Sequence, residues 1–238
     1  MAEAERHPFA AKWFLNGFPK AGLHLIALML EPIAQAVPIV SELPEGPWAG
    51  TFQNAAWSNE WAPLEMTLYR IGYLGHHEFI KSHAGYTHDI DRFLYYLGVS
   101  HIFIYRDFRD VAVSQAYHVL SDDEEQFIHL GRDAYRALGG FDEVLEAVIV
   151  GIEGYPGVMA RWELYAPWLD ADWVHKVRFE EARNEPEAVA ESIVRYGFAR
   201  WQARHRHEIQ VNDENVRVAI EAMATRSRQR KQSLTFRK

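Results

Sequence analysis

A short apolar run, a glycine-bracketed turn and then a helical segment is the feature that most narrows the folds open to this chain. Trp13–Asn16 has strand character, Gly17-Phe-Pro-Lys-Ala-Gly22 makes the turn, and Leu23 opens a helical spacing that runs to Ala36, short of Pro38. In this layout, backbone N–H groups and a helix N-terminus can enclose an anion. The alternation recurs along the chain. Strand-length runs lie at Glu78–Ser82, Ser100–Tyr105 and Trp173–Phe179. Helical segments lie at Tyr86–Leu97, Phe108–Leu120, Phe141–Val150, Gly157–Leu169, Pro186–Gly197 and Asp213–Ala224. Strands alternating with helices predict an α/β fold, a central and mostly parallel sheet flanked by helices.

With 238 residues, 48% of them hydrophobic, the chain can bury one large core. We read residues 1–238 as a single domain with a lid or insertion at 38–64. That stretch has no clear period and holds Pro38, Pro44, Pro47 and Pro63 with Trp48, Trp57 and Trp61. A second polar stretch, 121–140, reads as a loop containing a helix. There is no cysteine, so disulfides, thiolate catalysis and cysteine-ligated zinc are excluded. The acidic start, Met1 to Arg6, lacks a signal-peptide layout, and the apolar run Leu23–Leu30 is far short of the roughly 20 residues of a membrane span. The expectation is a soluble, cytoplasmic protein.

Net charge is −8, which disfavours nucleic acid and anionic membranes as partners. The total hides an asymmetry. From Thr225 onward there are six basic residues and no acid, whereas residues 1–224 carry 19 basic against 33 acidic residues, a charge of −14.

A nucleotide-triphosphate P-loop would continue from the second glycine into Lys and then Ser or Thr, whose hydroxyl holds Mg²⁺. Leu23 and His24 occupy those places, and the lysine sits inside the loop as Lys20. A metal-dependent kinase is therefore disfavoured, although an ordinary turn remains open on this motif alone. A second signal is Ile102-Phe-Ile-Tyr-Arg106-Asp-Phe-Arg-Asp110-Val-Ala-Val-Ser114, in which a strand delivers Arg106 and a helix carries Ser114 about two turns in. Guanidinium plus hydroxyl suits a phosphate. The alternative is that Arg106 pairs with Asp107 or Asp110 and Ser114 only packs. Among 12 histidines, His76, His77 and His83 lie near one another, but no pair shows the helical spacing with Glu that marks zinc proteases, so no metal is expected.

Taken in order, these segments resemble the sulfotransferases that use 3′-phosphoadenosine 5′-phosphosulfate (PAPS). The turn through Lys20 resembles the family's 5′-phosphosulfate loop, Pro-Lys-Ser-Gly-Thr-Thr-Trp, and Tyr105–Ser114 resembles its 3′-phosphate motif, Arg-Asn-Pro-x-Asp-x-x-x-Ser. Lys81-Ser82-His83 resembles its Lys-Thr-His, and Val177–Glu181 with Asn184-Glu-Pro186 resembles its Tyr-Glu-Asp-Leu…Pro segment. Phe236-Arg237-Lys238 resembles the start of its C-terminal Arg-Lys-Gly loop; the chain stops before the glycines, which points to a short form or a piece of a longer protein.

The resemblance implies a P-loop-like three-layer sandwich and transfer of a sulfuryl group from PAPS, leaving PAP, to a hydroxyl on a small or carrier-bound acceptor. A silent PAPS- or PAP-binding module is the alternative. His83 is the expected general base, Lys20 the donor to the bridging oxygen and 5′-phosphate, and Lys81 a support for the sulfuryl oxygens. Backbone N–H groups of Ala21, Gly22, Leu23 and His24 would hold the 5′-phosphate. Arg106, Ser114, Arg237 and Lys238 would hold the 3′-phosphate, with Phe179 and Arg226 against the adenine. The family's two threonines are Leu23 and His24 here, its stacking Trp is Leu25, and Phe179 replaces a Tyr. Trp48, Phe52, Trp57 and Trp61 either line an apolar acceptor pocket or form a core beneath a long loop.

Overall fold

The computed structural model describes residues 11–36, 64–121, 131–204 and 213–234. Lys12–Gly17 forms β1, buried along nearly all its length, and leads through the turn into α1 (Leu23–Leu30). The helix stops short of its expected end. Pro32 ends it, because a proline has no N–H to carry the ladder on; Glu31 itself is still helical, its N–H bonded to Ala27 O at 3.2 Å. Ile33 and Ala34 then return to the core and Gln35–Ala36 forms a short strand, β2.

Next come α2 (Leu64–Gly72), β3 (Glu78–Ser82), α3 (His88–Leu97), β4 (Ser100–Tyr105) and α4 (Phe108–Leu120). Side chains at the boundaries set two of these helices. Thr87 accepts the Ile90 N–H at 3.2 Å to start α3, and Asp107 accepts the Arg109 N–H at 2.9 Å to start α4. Then follow α5 (Arg132–Arg136), α6 (Phe141–Val150), an antiparallel pair β5 (Gly151–Ile152) and β6 (Tyr155–Pro156), and α7 (Val158–Trp162). A 3₁₀ turn at Ala166–Leu169 precedes β7 (His175–Arg178), α8 (Phe179–Asn184), α9 (Pro186–Arg204) and α10 (Asp213–Leu234).

Other boundaries differ from the sequence reading too: α3 begins at His88 and not Tyr86, and β7 is His175–Arg178 within the expected Trp173–Phe179, so that Phe179 opens α8. The segment 157–169 divides into α7 and the 3₁₀ turn. Helix α9 passes through Gly197, which acts as a notch for the Trp13 ring rather than as a stop. Helix α10 extends ten residues beyond Ala224, so Arg226 and Arg228 lie on a helix and pair with Glu31 and Glu187.

The main sheet has five parallel strands in the order β2-β3-β1-β4-β7. Alternation of side chains divides its core between two faces. Trp13, Leu15, Ile102, Ile104 and Val177 pack with α1, α9 and α10; Phe14, Ile80 and Phe103 pack with α3, α7 and the 3₁₀ turn. His101 is fully buried in β4, with the Trp168 ring 4.5 Å away and neither ring nitrogen hydrogen-bonded. Burial holds it neutral, well below the ordinary histidine range.

The register aligns the C-terminal strand ends. Asn16 lies beside Ser82, Gly17 beside Ile104, and Tyr105 beside Arg178. The turn 18–22, His83, Arg106 and Phe179 therefore leave adjacent strands along one edge. Chain connections diverge to opposite sides of β1 there, the position at which open parallel sheets bind ligands.

Candidate functional site

The turn is built from two left-handed backbone positions, Lys20 at φ 67° and Gly22 at φ 104°. A lysine in that region costs about 1 kcal/mol, and such strain gathers at functional sites. A Cβ on Gly22 would also run into the Phe179 ring. The Ala21 N–H closes the turn onto Phe18 O at 3.0 Å, so it is already committed. In the first turn of α1 the Leu25 N–H is likewise committed, to Gly22 O at 2.9 Å; a helix start leaves its first N–H groups without preceding helical carbonyls. Leu23, at the place of the P-loop lysine, is buried core, while His24 is exposed. Lys20 is partly buried, which lowers its pKa, and no carboxylate among the described residues pairs with it.

His83 leaves β3 directly beside this turn. Its Nδ1 lies 2.6 Å from Gly17 O, and since a carbonyl only accepts, Nδ1 carries the proton and Nε2 keeps a lone pair. The following backbone is pinned. Tyr165 Oη donates to His83 O at 2.9 Å, and Trp168 Nε1 donates to Ala84 O at 2.9 Å. Asn16 Nδ2 donates to Ala84 O at 2.9 Å, and the Ala84 N–H donates to Asn16 Oδ1 at 2.8 Å. Burial pushes the His83 pKa down to about 4; the Gly17 carbonyl opposes this, and His24, Arg161 and Lys20 add to it. The imidazole is thus neutral near pH 7, with Nε2 able to take a proton. Lys81 lies in β3, half-buried, on the face it shares with Phe79.

At the end of β4, the Arg106 guanidinium lies 4.3 Å from the centre of the Phe179 ring. Phe179 therefore sits between Gly22 and Arg106, joining the two halves of the edge. Arg106 Nη2 is 3.3 Å from Asp110 Oδ2, so the ion pair considered as an alternative is present, but Arg106 Nε is buried with no hydrogen-bond partner among the described residues. Asp107 is engaged by Arg109 at 2.6 Å instead. Ser114 is half-buried on the stripe of α4 that carries Val111 and Gln115.

Other expected residues are not brought to this edge. Arg226 lies 2.8 Å from Glu31, at the opposite end of α1 from the turn, roughly 12 Å along the helix. Trp48, Phe52, Trp57, Trp61, Arg237 and Lys238 lie outside the described residues. The sequence reading missed Asn16, Arg161 and Tyr165, whose relation to His83 is purely tertiary. Asn16, a buried polar residue at the end of an apolar strand, was the one legible signal.

No protein-family model matches the chain, and no curated protein sequence does. Among solved structures, it is similar to the crystal structure of mouse sulfotransferase SULT7A1 complexed with PAP, with a TM-score of 0.53 and 17% identity, covering 90% of this chain and 63% of that one. The fold is sulfotransferase-like. At this identity the likeness is one of fold, and the chain spans 63% of the length of that structure. Among the described residues no cluster of three or more His, Cys, Asp or Glu is placed to hold a metal ion, and no helix is long and apolar enough to cross a membrane.

Proposed function

We propose that this chain is a PAPS-dependent sulfotransferase acting on a hydroxyl acceptor, with His83 as the general base. The observation that carries the reading is the convergence on one sheet edge of Lys20, with which no carboxylate among the described residues pairs, neutral His83 and the Arg106–Phe179 stack. The residues present fit the donor: among the described residues Arg106 keeps a buried Nε–H with no acceptor, and no carboxylate pairs with Lys20. PAPS, when bound, supplies the sulfuryl group and a phosphate leaving group.

Lys20 and the first turn of α1 would hold the 5′-phosphate and offset the charge that develops beside it. Arg106, with Ser114, would hold the 3′-phosphate, and Phe179 would offer a flat apolar surface to the adenine. His83 Nε2 would take the acceptor hydroxyl proton, its tautomer already set by Gly17 O. Lys81 keeps its expected role at the sulfuryl oxygens; the ion pair with Glu31 removes Arg226 from the adenine site in this reading.

Calorimetry with PAP, followed by single-turnover transfer from PAPS over a panel of phenols and alcohols, tests this. Binding and transfer support the reading. Binding with no transfer to any acceptor favours a silent module, and no binding overturns both.

A further inference from the structure

We propose that Asn16 is a positioning residue for the base: its buried side-chain amide grips the peptide that follows His83 and so keeps the ring on Gly17 O. This rests on the sulfotransferase reading above and adds a residue to the same site.

The parallel ladder between β1 and β3 ends at the pair Asn16–Ser82, one residue before His83, and β3 itself ends there. An asparagine side chain offers the same donor and acceptor as a peptide group. Asn16 uses both on one residue. Its Nδ2 donates to Ala84 O at 2.9 Å, and its Oδ1 accepts the Ala84 N–H at 2.8 Å. The side chain thereby adds one more rung past the point where the backbone ladder stops.

His83 is thus fixed from both sides along the chain. Ser82 before it is paired with Asn16 through the ladder, and Ala84 after it is held by the Asn16 side chain. The next residue of β1, Gly17, supplies the carbonyl that accepts from Nδ1 at 2.6 Å. Two adjacent residues of one strand therefore set the backbone and the ring of the base. That strand lies inside the sheet, between β3 and β4.

Burial gives the clamp its force. Asn16 and Ala84 are both 0% exposed, so neither the amide nor the Ala84 peptide can turn to water instead. Trp168 Nε1 also donates to Ala84 O, and Tyr165 Oη donates to His83 O. Each of those donors meets a single carbonyl. Of the three side chains, only Asn16 engages both the N–H and the C=O of Ala84, and only Asn16 lies on the strand that carries Gly17. A fully paired buried network holds its members in one arrangement. Packing alone does not call for an amide here, since β1 is otherwise apolar from Trp13 to Leu15 and an aliphatic side chain would fill the space.

The test reads the ring and the reaction separately. In the unliganded full chain, long-range ¹H–¹⁵N NMR is expected to show His83, assigned against His83→Ala, protonated at Nδ1. In Asn16→Leu the signal should move toward the Nε2-protonated form. Single-turnover transfer to an acceptor that the unmodified protein uses should fall about ten- to a hundredfold, as expected of a base misplaced by about 1 Å, with PAP affinity changed less than about twofold. Asn16→Ser, which can make only one of the two bonds, should lie between, and it decides the matter if the leucine variant does not fold. An Nδ1 signal and a transfer rate that both survive in a folded variant overturn the proposal, and so does a change in one without the other. Failure of both variants to fold assigns Asn16 to the fold alone and overturns it too. PAP titration of the unmodified protein separates the two levels: no binding sinks the sulfotransferase reading, and the NMR signature then decides by itself whether Asn16 holds the ring.

Discussion

At its N-terminal end α1 meets Lys20, a partly buried cation with no carboxylate beside it among the described residues; at its C-terminal end it meets Arg226, which lies on Glu31 at 2.8 Å with both side chains nearly half exposed. The same helix thus serves two uses of positive charge. The exposed cation is matched within the chain and ties α10 to α1. The enclosed one has no carboxylate beside it among the described residues, and it lies next to a histidine on which the charges of basic groups act. In the function proposed above, this is the cation that meets the donor's phosphate.

The largest expected effect lies at the enclosed end. His83→Ala should lower single-turnover sulfuryl transfer by roughly 10²-fold or more while calorimetric PAP affinity is retained; an active variant would move the base elsewhere. Arg106→Ala should weaken PAP by about ten- to a hundredfold and adenosine 5′-phosphosulfate hardly at all. Equal losses would remove Arg106 from the 3′-phosphate. Gly22→Ala forces an unfavourable φ and a collision with Phe179, and about a tenfold loss of PAP affinity is expected, with a lower Tm. Unchanged binding there would show that the turn tolerates rearrangement.

Protonation offers a subtler test. His83 and His175 are both lowered to about 4, and His101 lies well below its ordinary range, so these rings take up protons when the chain unfolds. Their effect on stability is absent above pH 6.5 and becomes destabilising as pH falls from there toward 4. Each can remove roughly 1.4 kcal/mol per pH unit across that window. Thermal melts should hold steady from pH 8 to 7 and drop below 6.5, and the acid limb of kcat/KM should lie near pH 4 rather than 6.5. The smallest effect belongs to the exposed end. Arg226→Ala should change PAP affinity less than twofold and stability by about 0–1 kcal/mol; a large loss of PAP affinity would return Arg226 to the nucleotide.

Much of this was legible from local pattern. Glu78–Ser82, Ser100–Tyr105, Phe108–Leu120 and Phe141–Val150 are bounded as their spacing and turn residues suggest. Where the reading erred, apolar periodicity outlasted the helix, as at Ile33 and Ala34, which are buried from a turn and not from α1. Gly197 misled because a glycine that makes room for a tryptophan looks the same in sequence as one that ends a helix. At the site, the strand-to-turn motif could locate Lys20, His83 and Arg106, since each leaves a strand end. It could not locate Arg161 or Tyr165, because neither belongs to a strand-end motif and only the packing of α7 and its following turn on Phe18 sets them beside His83.

The bond from His83 Nδ1 to Gly17 O makes the site robust to sequence drift. A main-chain carbonyl is present whatever residue occupies the position, so substitution cannot delete the group that sets the tautomer of His83. What substitution can do at Gly17 is add a Cβ, which would strike Ile104 and push β1 from β4. The orientation of the His83 ring is therefore tied to closure of the sheet rather than to the side chains at 23, 24 and 25.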